Sequence, residues 1–339
     1  MCKESSPAPT PGSFEQREQP RPPTQGSLFR GSCPEGAEGA TPRQAPFLPS
    51  LPLPTQPKRP AIRQGAYAVR SKPILITFCT LFSGSSGNAA YLETDAGAIL
   101  IDCGMSCKQV LDSLIKAQLE PSRLRAVVVT HEHSDHIRGI GPLTRKLGIT
   151  VCATEGTWAG MEHTVGAIPA HQRMRIDPGE SFFLCGMEVA SFAIPHDANE
   201  PVGYRFFLPN ASIAVATDLG HFAPGVQAAV EGAELVLLES NHDPDMLRQN
   251  PHYPNSLKNR ILGKKGHLSN ESGAQAAVQL AAKGTKHFLL GHLSSENNDP
   301  DLAYRTTYRA LAQTGAQIGR DVTLHVAGRY QTGYLYRMP

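Results

Sequence analysis

The feature that most constrains this chain is a six-residue segment, 131–136, that contains three histidines and one aspartate. Its sequence is His-Glu-His-Ser-Asp-His, and it directly follows the apolar run 126–129. Imidazole and carboxylate groups are common protein ligands of zinc, manganese and iron. Four such groups on one short loop cannot all surround a single ion and leave room for a substrate. They can be divided between two ions about 3.5 Å apart, so the segment predicts part of a binuclear metal site.

Further candidate ligands follow four apolar runs that have the length and composition of β-strands. The runs 126–130, 189–195, 213–217 and 288–291 lead into His131, His196, Asp218 and His292, respectively. A single histidine or aspartate after a strand is usually a turn residue. Four together, beside the histidine-rich segment, indicate strands that end at one rim and hold their loops around a common point.

Apolar runs and amphipathic segments alternate along the chain from residue 74 onward. Strands are predicted at 74–78, 98–101, 126–129, 213–216, 235–238 and 288–290, and helices at 108–117, 137–147, 272–283 and 300–314. Strands interleaved with helices are typical of layered α/β architectures. We therefore predict one layered α/β domain over residues 74–339.

Residues 1–73 differ from this domain in composition and charge. Residues 1–60 hold 14 of the 28 prolines, and residues 1–73 carry ten Lys/Arg against five Asp/Glu, whereas all 13 histidines lie further on. Such a stretch cannot bury enough apolar surface to offset its ordering entropy. We predict a disordered, proline-rich basic tail at 1–73, either a genuine extension or the product of a start codon placed too far upstream.

Cysteine usage and hydropathy bear on the compartment. The seven cysteines form no CxxC pair, so neither a disulfide framework nor a cysteine-based zinc site is predicted. The first residues lack the apolar core of about 7–15 residues that a signal peptide has. No apolar run approaches the roughly 18 residues of a membrane helix. We expect a cytoplasmic protein with no membrane partner.

Taken together, these motifs resemble the metallo-β-lactamase superfamily over residues 74–339. The resemblance implies a four-layer αββα sandwich with the site at one edge between two sheets. It also implies two divalent metal ions. Zn²⁺ is the expected metal at both positions, and Mn²⁺ is the alternative. The first ion would be held by His131, His133 and His196, the second by Asp135, His136 and His292, with Asp218 between them. Asp102 would brace the metal loop from behind.

The residue at position 218 narrows the class within this superfamily. An aspartate there, with Asp135 and His136 in the loop, is the pattern of its phosphodiesterases and thioesterases. The antibiotic-hydrolysing group that places a cysteine on the second metal is not matched, because no cysteine lies near residue 218.

Two glycine-bearing segments are candidate phosphate sites. Loop 83–88 (Ser-Gly-Ser-Ser-Gly-Asn) is either an ordinary turn or a nest of backbone N–H groups that binds an anion. Segment 266–270 (Gly-His-Leu-Ser-Asn) precedes a helix, whose N-terminus would favour a bound phosphate. Upstream, segment 247–266 contains five Lys/Arg and no acidic residue. This segment is either a solvated basic face or a surface that guides a polyanion toward the site. The candidate substrate contacts are Ser85, Ser86, Asn88, Ser269 and Asn270.

Segments 83–88 and 266–270, with the motif His-Leu-Ser-x-x-Asn-Asn at 292–298, are similar to the WalJ-type subfamily, whose members are single-stranded-DNA exonucleases acting from the 5′ end. His267 is similar to the histidine of related tRNase Z enzymes that assists the leaving group without binding metal.

The resemblance predicts a binuclear phosphodiesterase that acts on single-stranded DNA or RNA. A water activated by the ions would attack phosphorus, Asp135 would orient it and accept its proton, and His267 would assist the departing oxygen. Two alternatives stay open: a thioester or lactone hydrolase of the same fold, and a non-enzymatic nucleic-acid-binding module.

Overall fold

The structure is a computed structural model that describes residues 76–338, so the tail predicted at 1–73 lies outside the described residues. The strands are β1 (Ile76–Phe82), β2 (Ala89–Thr94), β3 (Gly97–Ile101), β4 (Leu124–Val128), β5 (Thr150–Ala153), β6 (Arg173–Arg175), β7 (Ser181–Leu184), β8 (Met187–Ala193), β9 (Val202–Phe207), β10 (Ser212–Ala216), β11 (Leu235–Glu239), β12 (His287–Gly291), β13 (Thr323–Val326) and β14 (Tyr336–Met338). The helices are α1 (Cys107–Lys116), α2 (Ser134–Ile137), α3 (Ile140–Leu147), α4 (Glu155–Val165), α5 (Pro224–Val230), α6 (Pro244–Gln249), α7 (Asn255–Ile261), α8 (Asn270–Ala281) and α9 (Pro300–Gln313). Within 76–338, every helix is too short or too polar to cross a membrane.

The strands form two seven-stranded mixed sheets. The first has the order β14-β1-β2-β3-β4-β5-β6, and the second has the order β13-β12-β11-β10-β9-β8-β7. Strands β3 to β6 are parallel, as are β10 to β13, and all other neighbours are antiparallel. Each sheet therefore joins a parallel half to an antiparallel half.

Side chains alternate between the two faces of a sheet along each strand. In both sheets, each face packs against a different apolar cluster. In β3, Ile99 and Ile101 belong to a core cluster shared with the second sheet, whereas Leu100 belongs to a cluster under α1, α3 and α4. In β11, Leu237 joins the shared cluster, and Val236 joins a third cluster under α5, α8 and α9. Three apolar clusters thus separate four layers, which confirms the predicted αββα sandwich.

Strand direction explains why distant segments meet. Because the carboxyl ends of parallel strands lie at the same edge of a sheet, β3 and β4 bring Asp102 and His131 together. In the second sheet, β10 and β12 are parallel to β11. Strand β8 runs in the same direction as β10, since both are antiparallel to β9. The carboxyl ends of β8, β10 and β12 lead to His196, Asp218 and His292.

The helix predicted at 137–147 has the wrong bounds, since the chain forms two helices, α2 and α3, interrupted at residues 138–139. Gly139 lies against the loop after β3: its N–H donates to Cys103 O at 2.8 Å. A Cβ added at Gly139 would lie 2.2 Å from Met105 O. This close approach of two loops breaks the helix, and α2 starts earlier, inside the metal-loop segment.

Candidate metal centre

One group of donor atoms joins the metal loop to the end of β8. His131 Nε2 lies 3.0 Å from His133 Nδ1, and His196 Nε2 lies 3.3 Å from the same Nδ1. Donor atoms around a tetrahedral ion with bonds of about 2.0–2.1 Å lie about 3.3–3.5 Å apart. His131 and His196 are buried. The three nitrogens therefore have about the spacing of a single metal site.

A second group joins the same loop to the ends of β10 and β12. Asp135 Oδ2 lies 3.5 Å from His136 Nε2 and 3.6 Å from His292 Nε2. Asp218 places Oδ2 3.5 Å from His136 Nε2 and Oδ1 3.9 Å from His196 Nε2. One carboxylate therefore reaches both groups, and the structure brings all seven predicted ligands together.

Two atoms of these groups are buried without a partner. Asp218 Oδ2 and His292 Nε2 have no hydrogen bond within residues 76–338. A buried polar atom left unpaired costs about 1–3 kcal/mol, so such atoms point to a ligand that completes them. Imidazole and carboxylate donors suit divalent metal ions. The residues present therefore fit two divalent ions, one at each group.

The histidine rings are oriented by hydrogen bonds on their other nitrogen. His136, His196 and His292 all engage Nδ1 with protein oxygens, which leaves Nε2 for a ligand. The acceptors are Asp102 Oδ2 at 2.8 Å, Gly266 O at 3.3 Å and Glu239 Oε1 at 2.9 Å, respectively. Asp102 also accepts hydrogen bonds from the N–H and hydroxyl of Thr130, both at 2.8 Å. Asp102 therefore braces the start of the metal loop.

The two groups differ in electrostatics. Burial, reinforced by the neighbouring rings of His136 and His196, holds the pKa of His131 well below its usual value. Burial also disfavours a charged His292, but Asp218, Asp135 and Glu239 outweigh it and raise the pKa of His292 to about 10. The first group thus includes the neutral imidazole of His131, whereas carboxylates surround the histidines of the second group.

Glu239 is the site residue that sequence reasoning missed. It is fully buried at the end of β11, and Oε1 accepts hydrogen bonds from His267 Nδ1 at 2.8 Å and His292 Nδ1 at 2.9 Å. The N–H groups of Leu219 and Leu268 donate to Oε2. The signal was present, because Glu239 follows a predicted strand just as Asp218 and His292 do.

Backbone conformation marks the same strand ends. Asp102, Asp218 and His292 have φ values of 60°, 61° and 58°. This left-handed region is uncommon for residues other than glycine, and such residues cluster at functional sites. Each of the three turns the chain sharply as it leaves its strand, which aims the side chain into the site.

The metal groups open into a cleft of about 360 Å³. Asp135 and His267 line it and are partly exposed, with 21% and 19% of their side chains accessible. Helix α7 and the turn before it form one wall, from which Tyr253, Leu257 and Arg260 face the cleft. The cleft therefore combines the two metal-ligand groups with the aromatic ring of Tyr253 and the guanidinium group of Arg260.

The predicted substrate contacts divide into two sets. Ser85 lines the cleft, and Ser86 bonds to Tyr330 Oη at 3.1 Å. Asn88 lies behind the metal loop: its N–H donates to Asp135 O at 2.8 Å and its side-chain amide lies against Asp135 and His136. Its side-chain oxygen Oδ1 accepts the N–H of Gly84. Loop 83–88 is thus largely satisfied internally, with Ser85 facing the cleft.

Ser269 and Asn270 have structural partners. Ser269 is the N-cap of α8, and its hydroxyl accepts the N–H of Ser272 at 3.1 Å. Asn270 is 1% exposed, and its amide bonds to Ser240 and Asn298 at 2.6–2.9 Å. These bonds argue against the prediction that Asn270 contacts substrate, because no amide atom is left over.

Two of the five basic residues in segment 247–266 have partners away from the cleft. Arg248 pairs with Asp245 at 2.9 Å on α6, and Lys258 Nζ donates to Arg248 O at 2.7 Å. Arg260 lines the cleft and pairs with Asp197, the residue after His196. Position in the fold therefore singles out Arg260 from this segment as the cation beside the metal groups.

Comparison with known proteins gives the class. A family model described as a β-lactamase superfamily domain matches residues 98–292, a range that contains all seven candidate ligands. The chain therefore belongs to this superfamily, and it is a metallo-hydrolase. Solved structures agree in fold: YhfI from Bacillus subtilis (TM-score 0.58, 15% identity, 78% of this chain and 100% of that one) and zinc-bound PqqB from Methylobacterium extorquens (TM-score 0.58, 19% identity, 77% and 100%).

Curated relatives narrow the class to one family. The chain is 40% identical over 248 residues to exodeoxyribonuclease YycJ of Bacillus anthracis, which covers 73% of this chain and 94% of the relative. It is also 40% identical over 250 residues to exodeoxyribonuclease WalJ of Streptococcus pneumoniae, which covers 73% and 93%. Within the superfamily, the chain belongs to the WalJ and YycJ family.

Proposed function

We propose that this protein is a metal-dependent exonuclease that hydrolyses single-stranded DNA from its 5′ end. The observation that carries the proposal is the convergence, in one cleft, of two metal-ligand groups with the partly exposed His267 and Arg260. The names of the 40% identical relatives favour DNA as the substrate and removal from an end as the mode. The 5′ polarity rests on the resemblance of segments 83–88, 266–270 and 292–298 to the WalJ type.

We assign His131, His133 and His196 to one ion, and Asp135, His136 and His292 to the other, with Asp218 shared. Zn²⁺ is the proposed metal, because the first group is made of three imidazoles at tetrahedral spacing. When bound, the two ions would neutralise charge on the phosphoryl oxygens and lower the pKa of water toward neutrality.

The residues of this chain supply the proton transfers. Asp135 lines the cleft and directs Oδ2 to the second donor group, so its other carboxylate oxygen, Oδ1, can take the proton of the attacking water. His267 donates through Nδ1 to Glu239, which leaves Nε2 to hold the proton that the departing oxygen needs. Such proton transfer accelerates a reaction by about 10²–10⁴-fold. Glu239 keeps the ring of His267 in this orientation.

Cleft size favours a single strand. A cavity of about 360 Å³ is typical of sites for small molecules, at about 300–1,000 Å³. It is too small to enclose a double helix, whose major groove alone is about 12 Å wide. A single strand can enter with one phosphodiester at the metal groups, near Arg260. Tyr253 then offers a ring on which a base can stack.

The test compares end-labelled single strands of one sequence, phosphorylated at the 5′ end in one sample and at the 3′ end in the other. Zn²⁺ and Mn²⁺ are added separately, and RNA, duplex DNA and a thioester are tested as alternative substrates. We expect stepwise loss from the 5′ end of DNA, with the duplex resistant. Loss from the 3′ end would overturn the polarity, and thioester hydrolysis without DNA cleavage would overturn the nuclease function.

A further inference from the structure

A second cavity, of about 420 Å³, lies beside loop 83–88 and shares no lining residue with the metal cleft. Its floor is apolar. Phe82, the residue before the loop, is 6% exposed, and Met105 is 7% exposed. Met105 packs so closely on Gly87 that an added Cβ would lie 2.4 Å from Met105 Sδ. The floor is therefore made by the back of the loops that support the metal centre.

The walls of this cavity are polar and carry no net charge. One wall is the outer face of α1, where Gln109, Asp112 and Lys116 recur about one turn apart. The other wall is segment 330–332, which Ser113 ties to α1 through a hydroxyl contact of 3.1 Å. One carboxylate and one ammonium balance each other. This balance does not select a phosphate, and it suits a neutral ligand with apolar faces and polar edges.

Tyr330 connects the two cavities. Its ring lines the second cavity and is 62% exposed, and its hydroxyl lies 3.1 Å from Ser86 Oγ. Ser85, the preceding residue, lines the metal cleft. Two consecutive residues of loop 83–88 therefore link the metal cleft to the ring of Tyr330. Exposed aromatic rings on single-strand-binding proteins stack on bases, with little regard to sequence.

We infer that the second cavity binds a nucleobase of the substrate strand, next to the nucleotide whose phosphodiester lies at the metal groups, and that Tyr330 stacks on this base. The inference rests on the proposed function and adds to it a specific place for a neighbouring base. The apolar floor matches the faces of a base, and the amide and hydroxyl groups of the rim match its edges. The cavity volume is within the range of small-molecule sites.

The test compares the binding of base-deleted strands to variants of the metal-loaded enzyme, in the manner of a double-mutant cycle. Single-stranded oligonucleotides with phosphorothioate linkages, which slow hydrolysis, each lack the base at one position. Binding is measured by fluorescence anisotropy for the wild type, Tyr330→Ala, Tyr330→Phe and the control Tyr308→Ala, which removes another exposed tyrosine ring, on α9. Hydrolysis of bis-p-nitrophenyl phosphate, which carries no nucleobase, reports the integrity of the metal centre.

We expect an abasic site at the position that stacks on Tyr330, distinct from the position beside Tyr253, to weaken binding about tenfold in the wild type, Tyr330→Phe and Tyr308→Ala. Tyr330→Ala binds the complete strand about tenfold more weakly and shows no further loss at that position, with unchanged bis-p-nitrophenyl phosphate turnover. The inference is overturned if Tyr330→Ala loses as much affinity as the wild type at that abasic position, or if no abasic position weakens binding to the wild type. The nuclease function stands in both cases. Absence of binding to every strand instead overturns the proposed function itself.

Discussion

Single residues in the metal centre have separate tasks, which their neighbours define. His136, His196 and His292 each engage one ring nitrogen with a protein oxygen. His267 is held in the same way by Glu239 but lies partly exposed at the cleft. The structure thus separates rings that meet the buried donor groups from a ring that is available to the substrate.

Asp135→Ala is expected to abolish turnover and to lower metal content, because it removes a proposed ligand that also faces the attacking water. His267→Ala is expected to keep both metals and to lose about 10²–10⁴-fold in rate, the usual contribution of proton transfer. Elemental analysis and single-turnover kinetics check both variants. Loss of metal in His267→Ala would show that the proposed roles of His267 and His292 must be exchanged.

Gly104 is the glycine at which an added side chain would meet the closest neighbouring atom among the described residues. A Cβ there would lie 1.6 Å from Asp135 O and 2.6 Å from Asn88 N. Gly104→Ala is therefore expected to lower the free energy of unfolding by at least about 2 kcal/mol. Gly225→Ala in α5, where a Cβ meets nothing within 4 Å, is the control and should stabilise by about 0.5–1 kcal/mol. Equal thermal stability of the two variants would contradict the packing between these loops.

At the scale of elements, α7 is the wall of the cleft that carries a basic side chain, Arg260. The helix buries none of its residues, and it presents Leu257 and Arg260 to the cleft. A helix with so little core contact is positioned by its flanking segments, and Gly266 packs against Ile261 O at the carboxyl end, where a Cβ would lie 2.1 Å away.

Arg260→Ala is expected to weaken oligonucleotide binding and to reduce the slope of log K against log salt by about 1, because one phosphate contact is lost. Arg248→Ala is the matched control, since that side chain also pairs with an aspartate, Asp245 on α6, but does not line the cleft. Binding titrations at several salt concentrations measure both slopes. An unchanged slope in Arg260→Ala, or an equal change in both variants, would remove Arg260 from the substrate path.

At the scale of the whole molecule, the two sheets create the site by meeting at one rim. The first sheet supplies the metal loop after β4, and the second supplies the residues after β8, β10 and β12. We therefore expect close to two metal ions per chain, measured by elemental analysis of dialysed protein. Full activity with a single ion per chain would contradict the binuclear assignment.

Metal binding is also expected to release protons. Burial opposes charge on His136, but Asp218, Asp135 and Asp102 raise its pKa well above the usual value, and the pKa of His292 rises to about 10. Both rings thus hold a proton at neutral pH without metal, whereas a metal binds the neutral ring. Calorimetry in buffers of different ionisation enthalpy should show about two protons released per chain, with affinity rising as pH rises. Binding that is independent of pH would contradict the charges assigned to this group.

Much of the fold and the metal centre could be predicted from the sequence because the signals are local. Apolar runs of strand length and the composition of segment 131–136 are properties of neighbouring residues. Strand ends predicted that His196, Asp218 and His292 would converge, and they do. The bounds of α2 and α3 could not be predicted, because Gly139 is fixed by a loop more than thirty residues away in sequence.

The sequence by itself determined a layered α/β architecture and the candidate ligands at the strand ends, since alternation and residue type do not depend on distant partners, and the resemblance to the superfamily added the αββα order of the layers. Only the tertiary structure decided that Glu239 serves two histidines, that Asn270 is consumed by buried hydrogen bonds, and that Tyr330 stands beside Ser86. The physical reason is that a hydrogen bond or a shared cavity depends on which side chains meet across the sheets. Ser86 and Tyr330 are 244 residues apart in sequence, and only the packing of the last segment against loop 83–88 brings them together.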